Sequence, residues 1–382
     1  MKRVYLDNAS TSFPKPPAVI RAISDYLKNI GASPGRGSHH QAIEASRFVY
    51  RIRQNLSRLF NLSDSSRLVF TANATESLNL ALKGILKKGD RVITTSLEHQ
   101  AVTRPLKRLE QDLGIRVIRI RTPGGKLKIE DMAKAITSKT RMVVMLAASN
   151  VTGGILPIAE VGEICRKRKV LFLVDAAQAA GHIALNIPQL NVDLLAFTGH
   201  KALLGPMGIG GLYIREGIEV KPLKEGGTAS AAGERQPLIL PDRYESGTMN
   251  MPGIVGLGAG IEFILDKGMA VIREKEMKLL VQLTEGLKKV KGIILYGPEN
   301  LPEKVPLVSF NLLRLNSQEV GYMLDKRYNI AVRTGLHCAP WAHRSLGTEA
   351  RGTVRVSLSF FNTSEEIIYF LKAVTEISRR HA

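Results

Sequence analysis

VLFLVDAAQAAGHIALNIPQLNVDLLAFTGHKALLGPMGIGGLYI, residues 170–214, is the stretch that decides the fold. Two apolar runs of strand length, 170–174 and 194–197, each break off at polar groups. The first ends at Asp175, with Gln178 three residues on; the second ends at Thr198, Gly199, His200 and Lys201. A glycine-rich tight turn then leads into a third run, 210–214. Toward the N-terminus the same punctuation recurs. Run 67–71 ends in Asn73, Ala74 and Thr75; run 91–95 ends in Ser96 and His99; run 142–147 ends in Ser149 and Asn150. A further strand is read at 117–120, and helical patterns over 76–86 and 102–113 lie between the strands. Strands alternating with helices predict an α/β fold with a mostly parallel sheet covered on both faces.

Toward the C-terminus the pattern changes. Helices are read over 254–265 and 271–289, strands over 293–296, 307–312, 330–333 and 353–359, and a last helix over 365–379. This is a smaller α+β C-terminal domain, with the Gly- and Pro-containing stretch 244–253 as boundary. The expected division is a large domain over 15–250 and a small domain made of 1–14 and 251–382.

A chain of 382 residues with 44% hydrophobic residues has room for a sizeable core. No apolar run reaches the roughly 18–20 residues of a membrane span. The opening MKRVYLDNAS lacks the pattern of a secretion signal. A soluble, cytoplasmic protein is therefore expected, with no membrane partner. The formal charge is +20, and residues 104–141 hold 11 Lys/Arg against 4 Asp/Glu. Such a surface attracts nucleic acid or an acidic partner, or is simply a solvated basic face. The basic residues alternate with apolar ones and carry no nucleic-acid-binding signature, so nucleic acid is not expected. Two cysteines, Cys165 and Cys338, make no disulfide framework and no four-ligand zinc set. No metal is assigned.

In open parallel sheets, ligands sit beyond the carboxyl ends of the strands. The polar groups following five strands therefore describe one pocket that binds an anion and carries a lysine. Ala74 and Thr75 open a helix, whose free N–H groups and dipole favour a phosphate; taken alone, the pair reads as a plain N-cap by Thr75. Lys201, set in a glycine-rich turn beyond a buried strand, is placed for the partial desolvation that suits Schiff-base chemistry; alone it reads as one more surface lysine. Asp175 is suited to face a pyridinium nitrogen, or to cap the next helix. Cys338 lies in a turn-rich segment with Arg333, His337, His343 and Arg344 as sources of positive charge, the setting of a reactive thiol. Cys165 sits in a helical pattern and is given no chemistry.

Together these residues carry a family resemblance. The matching segments are YLDNA (5–9), ANATESLNLAL (72–82), SLEHQA (96–101), SNVTGG (149–154), VDAAQAAGH (174–182), FTGHKALLGPMGIGGLY (197–213), ESGTMN (245–250), RTGLHCAP (333–340) and RVSLSFFNT (355–363). They span nearly the whole chain. The chain resembles the class V aminotransferase family of pyridoxal-phosphate enzymes, in its group II-like cysteine desulfurase and selenocysteine lyase branch.

The resemblance implies the fold type I architecture of pyridoxal-phosphate-dependent transferases, pyridoxal 5'-phosphate as cofactor, and a homodimer. Position by position it implies Lys201 as the cofactor-bearing lysine, Asp175 as the partner of the ring nitrogen, Gln178 as the contact to the ring oxygen, and His99 stacked on the ring. Ala74, Thr75, Thr198 and His200 match the phosphate cradle, and Thr248 a residue reaching the phosphate of the other subunit. Asn150 and Arg355 match substrate-orienting positions, His39 matches a histidine lining the pocket, and Arg333 is placed near the cysteine loop. The implied activity converts L-cysteine to L-alanine, with Cys338 taking the sulfur as a persulfide and a sulfur-acceptor protein as a further partner. The alternatives are a selenocysteine lyase acting on L-selenocysteine, another class V enzyme (aminotransferase or β-lyase) that does not use Cys338, and, more distantly, a basic RNA-associated binding protein. Leu336 and the segment 340–344 (PWAHR) depart from the branch's usual pattern around the cysteine.

Overall fold

The computed structural model describes residues 3–35, 37–228 and 234–381. Thirteen strands occur among them: β1 (Val4–Tyr5), β2 (Leu68–Thr71), β3 (Arg91–Thr95), β4 (Arg116–Ile120), β5 (Thr140–Leu146), β6 (Leu171–Asp175), β7 (Leu194–Thr198), β8 (Gly210–Ile214), β9 (Ile293–Tyr296), β10 (Leu307–Leu312), β11 (Ile330–Ala331), β12 (Arg333–Gly335) and β13 (Thr353–Ser357). Seven form the main sheet in the order β2-β8-β7-β6-β5-β3-β4. Only β8 runs against the others, pairing antiparallel with β2 and β7. The carboxyl ends of β2, β3, β5, β6 and β7 therefore share one edge.

The central strands are apolar at nearly every position because both faces are covered. Their side chains alternate with the period of two that a strand dictates. Met142, Val144, Leu173, Leu194 and Ala196 join Leu78, Leu82, Val102 and Leu106 in one core layer. Their chain neighbours Val143, Phe172, Leu195 and Phe197 join Ile52, Leu56, Phe60 and Ile261 in the other. Each such fully buried Val, Leu, Ile, Met or Phe side chain contributes roughly 1.5–3 kcal/mol.

The helices Pro17–Asn29 and His40–Phe60 had not been placed from the sequence. The second carries Val49, Ile52, Leu56 and Phe60 on its buried stripe, diluted by the arginines between them. The helix Met251–Lys267 packs against both. A separate core gathers Val4 and Leu6 with side chains from Leu279 to Ile377. It backs the antiparallel sheet β12-β13-β10-β9.

One strand expected from the sequence, at 330–333, is two. β11 pairs in parallel with β1, then the chain changes sheets at Val332 and β12 pairs with β13. A single apolar run hid the switch, whose result is that Arg333 stands directly opposite Arg355. No helix among the described residues is long and apolar enough to cross a membrane.

Candidate active site

A cavity of about 280 Å³ opens at the shared strand edge. Its wall includes Ala74, Thr75, His99, Asn150, Asp175, Gln178, Thr198, His200, Lys201, Arg333 and Arg355. Eleven of the fourteen sequence-assigned residues thus converge on one space; His39, Thr248 and Cys338 are not in its wall.

At one end the helix Ala74–Ile85 points its N-terminus into the cavity. The cap is Asn73, not Thr75: its side chain accepts the Glu76 N–H at 3.0 Å. Thr75 is thereby released from capping. The Thr198 Oγ1 and His200 Nδ1 atoms nearby are buried and have no partner among the described residues. Burial, helped by Lys201 and Lys15, pulls the His200 pKa down to about 4, so its ring is neutral at pH 7. Free helix N–H groups, an orphaned hydroxyl and an orphaned imidazole nitrogen together make a cradle for a phosphate-sized anion. Buried polar atoms left this way are costly unless a ligand completes them.

Deeper in, Asp175 closes β6 and accepts the Ala177 N–H at 2.9 Å. No helix follows it, so helix capping is not its task. Burial raises its pKa, while that hydrogen bond and Lys201 oppose the rise. Lys201 follows β7, and burial lowers its ammonium to about 8, with Asp175 opposing and Arg355 and Arg333 adding to the fall. Gln178 is fixed through its Nε2 to the Ala9 carbonyl at 2.9 Å.

His99 caps the helix Gln100–Leu113, its Nδ1 accepting the Ala101 N–H at 3.0 Å. The ring proton of the neutral form is therefore on Nε2. Burial, then the positive charges of Lys201, Arg333 and Arg355, lower its pKa to about 4.

Arg355 is fully buried. Its Nη1 donates to the Asn150 carbonyl at 3.0 Å, and its Nη2 donates to Asp7 Oδ1 at 3.0 Å and Ser10 Oγ at 2.9 Å. Its Nε is buried with no partner among the described residues, as is Asn150 Oδ1. These are unspent groups on the cavity wall, suited to a carboxylate and an amine respectively.

Cys338 is partly exposed, whereas Cys165 is buried and its thiol is pushed up to about 12 by that burial. Arg333 Nη2 donates to Cys338 Sγ at 3.2 Å, which ties the sulfur to a residue of the cavity wall. The histidines expected to add charge there do not. His337 and His343 are buried, and burial lowers their pKa values to about 2 and about 4. Their rings spend one nitrogen each on Thr353 and Thr348. Arg344 is occupied with Glu349 and with the face of Trp341. The hydrogen-bonded charge at the sulfur is Arg333, with Lys201 and Arg355 adding positive charge from further off.

Two assigned residues stand outside the cavity of the single chain. His39 does not line the cavity: it is exposed and caps the helix His40–Phe60, with Nδ1 facing the Ala42 N–H. Thr248 is exposed and lies in a second hollow, with Glu76, Lys224 and Glu245. Sequence reasoning also missed Ser10 and Glu98. Ser10 follows the short strand β1 in a polar run, the same signal that marked the other strand ends. Glu98 stood beside His99 in such a run, but nothing in the residue string shows that it is fully buried.

The class V aminotransferase model matches residues 4–370. A probable cysteine desulfurase of Methanothermobacter thermautotrophicus is 35% identical, covering 98% of this chain and 94% of the relative. One from Pyrococcus abyssi is 36% identical with the same coverage. The apo structure of a cysteine desulfurase from Thermococcus onnurineus superposes with a TM-score of 0.93 at 36% identity, over 99% of this chain and 95% of that one. An Escherichia coli cysteine desulfurase, in an S-sulfonic acid form, gives 0.90 at 26% identity, over 100% and 96%. With a family model matched almost end to end, the strand-edge cavity belongs to a known architecture, and the chain is a member of the class V aminotransferase family.

Proposed function

We propose that this chain is a cysteine desulfurase that binds pyridoxal 5'-phosphate in the strand-edge cavity and stores the sulfur of L-cysteine on Cys338. The observation that carries the reading is the place of Cys338 Sγ, 3.2 Å from a guanidinium of the wall that also bears Lys201. The orphaned Thr198 and His200 atoms and the free N-terminus of the helix Ala74–Ile85 support the cofactor. Bound there, the cofactor supplies an electron sink for the substrate's α-carbon.

The chain's own residues do the rest. Arg355, with its unspent Nε, binds the substrate carboxylate. Asn150 Oδ1 orients the substrate's amino group. Lys201 Nζ holds the cofactor in the resting protein and takes the proton from the substrate α-carbon, its lowered pKa suiting it to proton transfer near neutrality. Asp175 places a carboxylate where a ring nitrogen's proton is to be kept. His99, neutral with its proton on Nε2, would help hold the cofactor and would hold or deliver a proton without adding charge. Cys338 Sγ attacks the substrate sulfur: an S–S bond forms, the C–S bond breaks, and its electron pair is protonated at the β-carbon. L-cysteine and the Cys338 thiol thus become L-alanine and a persulfide, with no outside oxidant. A second subunit contributes Thr248 to the phosphate, and an acceptor protein discharges the persulfide.

The test is mass analysis of the protein after incubation with L-cysteine. One added sulfur on Cys338 is expected, about 32 Da. Cys338→Ala should lose sulfur transfer while retaining the cofactor's visible absorbance. Alanine formed by Cys338→Ala at the wild-type rate refutes the role.

A further inference from the structure

We propose that Ser10 is a positioning residue that couples the two arginines of the site, holding Arg355 for the substrate carboxylate and Arg333 for the Cys338 sulfur. The inference rests on the desulfurase reading and adds a residue to it. β12 and β13 place Arg333 and Arg355 opposite one another, and like charges in that relation repel. The oxygen of Ser10 lies between them. It accepts from Arg355 Nη2 at 2.9 Å and from Arg333 Nη1 at 3.3 Å, and donates to Asp7 Oδ1 at 2.8 Å. A hydroxyl has one proton and two lone pairs, so these contacts use all of its capacity.

The arrangement is directional. Asp7 Oδ1 also accepts from Arg355 Nη2 at 3.0 Å, so one carboxylate answers two guanidiniums and reaches Arg333 only through Ser10. Arg333 has its other end on Cys338 Sγ. A chain of contacts therefore runs from Asp7 through Ser10 and Arg333 to the sulfur. Without the hydroxyl, Arg355 keeps Asp7 and the Asn150 carbonyl. Arg333 keeps only the sulfur and swings away from its like-charged neighbour. Thiolate, the reactive form, loses its hydrogen-bonded cation and keeps only the more distant charge of Lys201 and Arg355.

The test is the rate of Cys338 alkylation by iodoacetamide in the cofactor-loaded protein, followed by mass, with buried Cys165 as internal reference. Ser10→Ala should slow alkylation roughly three- to tenfold, and Ser10→Thr, which keeps the hydroxyl, should restore it. Because Ser10 acts through Arg333, Ser10→Ala added to Arg333→Ala should slow it no further than Arg333→Ala alone. The same Ser10→Ala variant should lower kcat more than it raises KM for L-cysteine, because Arg355 keeps its other anchors. A Ser10→Ala rate equal to or above wild type, or additive losses in the double variant, overturns the proposal. Ser10→Gly removes the same hydroxyl and repeats the test if the alanine variant does not fold. The alkylation arms decide the role of Ser10 whether or not alanine forms, and absence of alanine in wild type counts against the desulfurase reading alone.

Discussion

Replacing Glu98 by glutamine should flatten the stability of the protein against pH. Glu98 is fully buried between the ends of β3 and β5, accepting the Thr95 hydroxyl at 2.6 Å and the Leu146 N–H at 3.0 Å. Burial raises its pKa from 4.5 to about 8, and the charge of Asp175 adds to the rise against those hydrogen bonds. Between these two values the folded protein holds a proton that the unfolded chain has lost. Unfolding free energy therefore falls as pH rises through this window. The contribution is fully present below 4.5 and gone above about 8. Each pH unit inside the window is worth about 1.4 kcal/mol, and the whole window at most about 5 kcal/mol. Glutamine has no such proton to lose. Its amide oxygen takes over the Leu146 N–H and its NH₂ donates to Thr95, whose hydroxyl turns to accept while still receiving the Leu97 N–H. Urea unfolding of both proteins at pH 5.5, 7 and 8.5 measures the difference. Between the lowest and highest pH, the difference should move toward glutamine by roughly 3 kcal/mol. A difference that stays constant across the three pH values refutes the reasoning.

Two further outcomes follow from the same geometry. Arg355→Lys removes the planar fork whose Nε is unspent, so KM for L-cysteine should rise about 10- to 100-fold with a smaller fall in kcat, read from alanine formation. Gly181 has φ +97°, and a Cβ there would collide with the Ala202 carbonyl. Gly181→Ala should therefore destabilise the fold by several kcal/mol and displace the Lys201 turn, seen as a lower urea midpoint and weaker visible absorbance of the cofactor.

The main sheet was legible because its strands are buried on both faces, which writes continuous apolar runs into the chain. The polar residues at their ends marked the cavity for the same reason: a chain leaving a dry sheet meets its ligand at the first polar position. Asp175, Thr198 and Lys201 were found this way. What could not be read depends on distance in space rather than order in sequence. The change of sheets at Val332 lies inside one apolar run, so the pairing of Arg333 with Arg355 was invisible. The neutrality of His337 and His343 follows from burial that their polar neighbours concealed. His39 illustrates the converse: its motif was matched, but within one chain the side chain is spent on a helix cap.

The cysteine loop shows how a short connection can hold two side-chain-bearing residues in a conformation that favours glycine. His337 and Cys338 have φ of 48° and 58°, a left-handed conformation that costs a side-chain-bearing residue roughly 1–2 kcal/mol each. Two consecutive residues of this kind persist only where their surroundings fix them. Asn150 Nδ2 donates to the His337 carbonyl at 2.6 Å, and Gln100 N–H donates to the Cys338 carbonyl at 2.8 Å. His337 Nε2 is tied to the Thr353 hydroxyl, and Cys338 Sγ to Arg333. Each anchor belongs to an element that also serves the cavity: Asn150 follows β5, Gln100 follows His99 on the helix it caps, Thr353 begins the strand of Arg355, and Arg333 lies across from it. The strain in the loop is therefore balanced by groups of the cavity wall and its neighbours, so displacing any of them moves the sulfur as well. A side chain at 337 that could not reach Thr353 would leave the left-handed pair supported by two carbonyl contacts and one guanidinium, and the loop would relax away from the wall before the sheet beneath it changed.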